Sequence, residues 1–199
     1  MLGTATLNVG IFVYDDVEVL DFAGPFQVFT TAQRVAHPDT PFATFTVGQS
    51  AEVLARGGLP IEPSYRFGHE PNIDVLIVPG GIVTEELGKP AVIEWIAAHA
   101  ARAQLTASVC TGAFLLAKAG VLDGKKATTH WEDVDDFRKS FPGIPIDPAV
   151  RWVDEGRIVT SAGISAGIDM SLHLVERLAG EPLALRTARQ MDYRWQREP

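Results

Sequence analysis

Apolar positions follow two alternating rhythms along the chain. Residues 7–14 (LNVGIFVY), 42–48 (FATFTVG), 73–78 (IDVLIV) and 105–110 (LTASVC) are short, nearly continuous apolar runs, the pattern of strands covered on both faces. Residues 17–34 (VEVLDFAGPFQVFTTAQR) and 85–102 instead space their apolar positions as helices do. The Gly24-Pro25 step predicts two short helices meeting there, because proline does not continue a helix cleanly. In 85–102 the apolar side is Val92, Ile93, Trp95 and Ile96, and Pro90 offers a second helix start. A helix follows residue 110 and ends in the turn at 120–124. Residues 52–65, broken by Gly and Pro, read as irregular strands or a hairpin, and 127–130 (ATTH) as another short strand. Residues 131–141 read as helical, 142–148 as a Pro-rich loop, and 151–153 with 157–161 as a hairpin. Helices over 165–179 and 181–193 and a polar tail, WQREP, close the chain.

Strands alternating with helices, without repeat or linker, predict one domain over 1–199 of the α/β class. The expected architecture is a doubly wound, mostly parallel sheet with helices on both faces, similar to flavodoxin, which binds ligands at the strands' carboxyl ends. The 199 residues suffice for a large core, and 46% apolar with 21% charged residues is an ordinary globular balance. Charge changes the picture more. Lys+Arg 17 against Asp+Glu 25 gives a net charge of -8 with no basic run, which argues against a nucleic-acid partner. No apolar stretch has the length of a membrane span and the start MLGTATLNVG lacks a signal-peptide pattern, so a cytoplasmic protein with no membrane partner is expected. One cysteine allows neither an internal disulfide nor a multi-thiolate metal site. With no histidine pair at ligand spacing, no GxGxxG and no Walker loop, neither a metal nor a nucleotide cofactor is expected.

The candidate chemistry gathers at strand ends. Cys110 stands where an apolar run stops and a helix opens, the arrangement of a nucleophile elbow. A helix start favours negative charge, so the sequence predicts a thiol that ionises easily. Pro79-Gly80-Gly81 ends the neighbouring run and lets backbone approach a ligand closely. The N–H of Thr111, and that of Gly81, are the expected donors for charge developing on an attacked group. Asp21, near the break in the first helix, is the candidate proton partner. A carboxylate touching a thiolate disfavours double ionisation, so the expected pair is a thiolate with a neutral acid sharing one proton. Taken singly, Cys110 reads as a small buried hydrophobe and Asp21 as a helix cap; the elbow context is what turns Cys110 into a nucleophile candidate. His130, at the end of ATTH, is the histidine placed to reach the site. His37, His69 and His99 read as solvated and His173 as a helix-side residue.

The segments LDFAGPFQVF, IVPGG, SVCTGAFLLAKAGVLDGKKATTHW and TSAGISAGIDMSLHLVERLAG resemble the ThiJ/PfpI superfamily, whose fold is similar to class I glutamine amidotransferases. Nearly the whole chain takes part. Within the superfamily the likeness is to the isocyanide hydratase branch and to the ligand-sensing domains of AraC-type regulators, which share LD-x-x-GP, a Cys-Thr-Gly elbow and ATTHW. The resemblance implies Cys110 as nucleophile, Asp21 as its acidic partner, and Gly81 with Thr111 as oxyanion amides; by their positions in the chain, Gly80, Ile82 and His130 are the further residues expected around the substrate. It further implies a cofactor-independent lyase that hydrates an isocyanide, a small electrophile, to an N-substituted formamide, and a homodimer. PfpI-type peptidases carry His directly after their cysteine, where this chain has Thr111, so peptidase activity is not expected. A sensing module, or a glyoxalase-like or stress-protective redox protein with an oxidisable thiol, are the competing expectations.

Overall fold

The computed structural model describes residues 6–198. Strand β1 (Leu7–Val13) leads into helix α1 (Val19–Val35), then β2 (Phe42–Gly48), β3 (Val53–Ala55), β4 (Leu59–Ile61) and β5 (Tyr65–Arg66). Strand β6 (Val75–Val78), helices α2 (Thr84–Leu87) and α3 (Pro90–Arg102), β7 (Leu105–Val109) and α4 (Gly112–Lys118) follow. Helix α5 (Val134–Ser140), β8 (Trp152–Asp154), β9 (Ile158–Ser161), α6 (Ala166–Ala179) and α7 (Glu181–Gln190) complete the order. Seven strands form one sheet in the order β5-β2-β1-β6-β7-β9-β8, and β3 pairs with β4 apart from it. Every pairing in the large sheet is parallel except β8 with β9. The doubly wound, mostly parallel α/β architecture expected from the alternation is therefore present.

Side-chain alternation builds the two layers. On β6, Leu76 and Val78 join a core with α3, α4 and α5, while Val75 and Ile77 face the opposite core with α1, α6 and α7. All four are fully buried, which is why the run shows no polar alternation. Full burial of each such side chain is worth about 1.5–3 kcal/mol.

Several elements differ from expectation for identifiable reasons. Helix α1 runs unbroken through Pro25. The missing N–H leaves the carbonyl of Asp21 without its helical donor, but Val28, Phe29 and Ala32, all fully buried, hold the helix on the sheet across that gap. The stretch 85–102 is two helices, with Pro90 at the first position of α3. Residues 127–130 form no strand. Only Ala127 bridges to Ile146; Thr128 N–H donates to Thr160 Oγ1 (2.9 Å), and Thr129 Oγ1 donates to the carbonyl of Cys110. His99 is not solvated: its side chain is 12% exposed, and its Nε2 lies 2.9 Å from Glu70 Oε1, which also accepts Trp95 Nε1–H. Burial, against the pull of Glu70, holds His99 below its ordinary value. Among the described residues no helix is long and apolar enough to cross a membrane.

The closing residues are anchored rather than a free polar tail. Asp169 on α6 is fully buried and accepts from the Arg151 guanidinium, from Tyr193 Oη–H (3.2 Å) and from the Gln196 N–H (2.9 Å). Trp195 Nε1–H donates to the Asp169 carbonyl at 3.2 Å. Removing that carboxylate strands Arg151 and releases the closing segment. Asp169→Ala is therefore expected to lower unfolding free energy by about 3–5 kcal/mol, read by urea titration, and to red-shift Trp195 fluorescence.

Candidate active site

The adjacent strands β1, β6, β7 and β9 deliver their carboxyl ends to one place. Cys110 follows β7 with φ +95°, in the left-handed region that a non-glycine residue rarely occupies. That backbone strain is the mark of an elbow and agrees with the turn expected from sequence. The elbow is pressed against β6: a Cβ on Gly112 would lie 2.1 Å from the Val78 carbonyl oxygen, so only glycine fits. Thr111 locks the two strand ends together. Its Oγ1 donates to the Gly81 carbonyl and accepts the Gly81 N–H, both at 2.8 Å.

Asp21, from the first turn of α1, is fully buried beside the sulfur. Its Oδ2 accepts the Gly80 N–H at 3.0 Å, while Oδ1 is buried without an aligned partner. Burial pushes the Asp21 carboxyl up to about 7, although the Cys110 thiol and the Gly80 N–H pull it down. Burial and then the charge of Asp21 push the Cys110 thiol well above the ordinary range, against the N–H groups of Ile164 and Thr111 aimed at the sulfur. The easily ionised thiol expected from sequence is corrected accordingly. The sulfur belongs to a residue only 6% exposed, and α4 is a short helix whose dipole does not outweigh that desolvation. Both groups being raised, with burial the largest cause for each, the pair retains a proton at neutral pH.

The expected oxyanion donors are rearranged too. Gly81 N–H is taken by Thr111, Gly80 N–H by Asp21, and Ile82 N–H by the Asp16 carbonyl at 3.1 Å. Thr111 keeps its backbone N–H towards the sulfur, and the second such amide is that of Ile164, which the sequence did not single out. Ile164 follows β9 with φ +45°, again left-handed. Its signal lay in SAGIS, but that β9 pairs with β7 is not visible in a linear sequence.

A cleft of about 510 Å³ opens over Cys110, with Thr111, Ile82, Phe114, His130 and Ile164 among its walls. His130 is thus at the site, its Nδ1 3.4 Å from Asp133 Oδ2. A Cβ on Gly163 would fall 1.9 Å from His130 Cδ2, so the glycine is what admits the imidazole. Among the described residues no group of three or more His, Cys, Asp or Glu is arranged to hold a metal ion.

Fold and site together define an α/β protein with a cysteine at a strand-to-helix elbow and a buried acid from the first helix beside it. The chain belongs to the DJ-1/PfpI family, whose model matches residues 8–177. It is 34% identical over 188 residues to an isonitrile hydratase of Pseudomonas putida, covering 94% of this chain and 78% of that protein. It is also 33% identical over 172 residues to the HTH-type transcriptional regulator CdhR of Pseudomonas aeruginosa, covering 86% of this chain but only 51% of the regulator. A crystal structure of a ThiJ/PfpI family protein from Pseudomonas syringae superposes with TM-score 0.85 at 29% identity, covering 97% of this chain and 77% of that one.

Because Asp21 titrates near 7 when folded and near 3.8 when free, its protonated form lends stability that is complete below the lower value and lost as pH rises through the upper one. Asp21→Asn keeps an acceptor for Gly80 and removes this loss. Urea midpoints between about pH 4 and pH 8 are expected to show the variant gaining on the wild type as pH rises; a constant difference would contradict the buried, raised carboxyl.

Proposed function

We propose that the protein is a cofactor-independent isocyanide hydratase in which Cys110 is the nucleophile and Asp21 its proton carrier. The observation that carries this is a cysteine held at φ +95° on a strand-to-helix turn, next to a fully buried carboxyl whose Oδ2 accepts the Gly80 N–H. The 34% identity to an isonitrile hydratase supports the same reading. A carboxyl titrating near 7 is present in both protonation states at neutral pH, as a proton carrier requires.

In the first step Asp21 takes the thiol proton as the sulfur attacks the terminal carbon of R–NC. The proton passes from Asp21 to that carbon, giving the thioimidate R–N=CH–S–Cys110. Water then adds to the same carbon, its departing proton goes through Asp21 to the substrate nitrogen, and the C–S bond breaks. As the carbonyl forms, the remaining hydroxyl proton passes to the departing sulfur, and the product is R–NH–CHO, the sum of isocyanide and one water. The Thr111 and Ile164 amides stabilise charge on sulfur as the thiolate forms and again as it leaves, which burial alone would oppose.

A second reading, a small-molecule sensor, is favoured by the 33% identity to a transcriptional regulator. The raised thiol suits it as well, since a binding module needs no ionised sulfur. Purified protein supplied with an aliphatic isocyanide separates the two. Formamide production is expected from the wild type and its loss, by at least about a thousandfold, from Cys110→Ala, with Asp21→Asn also severely impaired. Tight binding without turnover in the wild type would favour the sensor, and equal turnover in Cys110→Ala would remove the mechanism.

A further inference from the structure

The walls of the cleft over Cys110 combine an apolar lining with an uneven charge. Ile82, Val83, Leu87, Phe114 and Ile164 supply the apolar part. The charged part is Glu18, Arg56, Glu132, Asp133 and Asp136. Arg56 is the one Lys or Arg among the described lining residues, and its Nη1 sits 3.2 Å from Glu18 Oε2, so an incoming anion finds that cation already paired. Asp136 is matched from outside by Lys139 at 2.9 Å. Glu132 and Asp133 have no Lys or Arg within salt-bridge distance among the described residues; only His130 Nδ1 approaches them, at 3.9 and 3.4 Å. Burial holds Asp133 above its ordinary carboxylate value, with His130 opposing and Glu132 adding to the rise.

We propose that this site selects its electrophile by charge, taking an apolar molecule that is uncharged or cationic and repelling one that carries a carboxylate, phosphate or sulfonate. The selection rests on the preceding reading only in treating Cys110 as the reacting atom. Two carboxylates on the wall of one cleft raise the local concentration of a cation over that of an anion, and added salt weakens the preference.

The single cysteine makes the test direct, because a thiol reagent reports on this cleft alone. Two methanethiosulfonates of similar size suffice, one ending in trimethylammonium and the other in sulfonate. In each reaction the Cys110 sulfur attacks the sulfenyl sulfur, a mixed disulfide forms, methanesulfinate leaves, and the thiol proton passes to solvent. Rates are followed by intact mass and divided by those of the same reagents with N-acetylcysteine. The normalised cation-to-anion ratio is expected to be about tenfold, to shrink with added salt, and to fall by about threefold or more in the double variant Glu132→Gln with Asp133→Asn. A ratio equal to that of the free thiol, or one unchanged in the double variant, overturns the proposal; in the latter case the protein's overall charge, not the wall, sets the preference. Failure of both reagents to react also overturns it, since a cleft closed to both cannot choose. None of these readouts needs hydratase turnover, so loss of the hydratase reading and loss of charge selection are told apart.

Discussion

Asp21 has a carboxyl with no exposed surface, one backbone N–H for a partner, and a thiol for a neighbour. An arrangement so poor in compensating donors disfavours charge, and the surrounding structure is what enforces it. Helix α1 cannot carry Asp21 away from the sulfur because its Val28, Phe29 and Ala32 face is locked on the sheet and against α6 and α7. Nor can the sulfur retreat from Asp21. Gly112 leaves no gap between the elbow and the Val78 carbonyl, and the paired Thr111–Gly81 bonds tie β6 to β7 at their ends.

The same constraint reorganises the roles that glycine-rich backbone is expected to play. Gly80 and Gly81 do approach the site, yet their N–H groups hold the site together rather than face the cleft. Donors for the sulfur come instead from Thr111 and from Ile164, one strand further along the sheet. The cleft is therefore assembled from residues brought in by four strands, with His130 admitted only because Gly163 has no side chain.

What the linear sequence made legible follows from which forces are local. The apolar runs of β1, β6 and β7 announced themselves because both faces of those strands are covered, and the elbow at Cys110 because a strand stops and a helix starts within two residues. Asp21, Thr111 and His130 are legible through motif and position, and the structure gathers them around one cleft or one sulfur. Long-range packing decided the rest. Pro25 is tolerated because tertiary contacts outweigh the local break, Thr128 and Thr129 are buried for side-chain bonds rather than a ladder, and His99 is drawn inward by Glu70. The thiol's reluctance to ionise depends on burial, which a helix-start argument does not contain. Ile164 required knowing that β9 lies beside β7.

The Ile164 amide also fixes an order of events during synthesis. Parallel pairing of β7 with β9 is a distant contact, closed only after the intervening loop, α5 and β8 have emerged. Until the chain extends past Ile164, the cysteine lacks one of its two amide donors and the neighbour that walls its cleft. A nascent chain thus carries its lone sulfur without the wall that covers it in the finished fold.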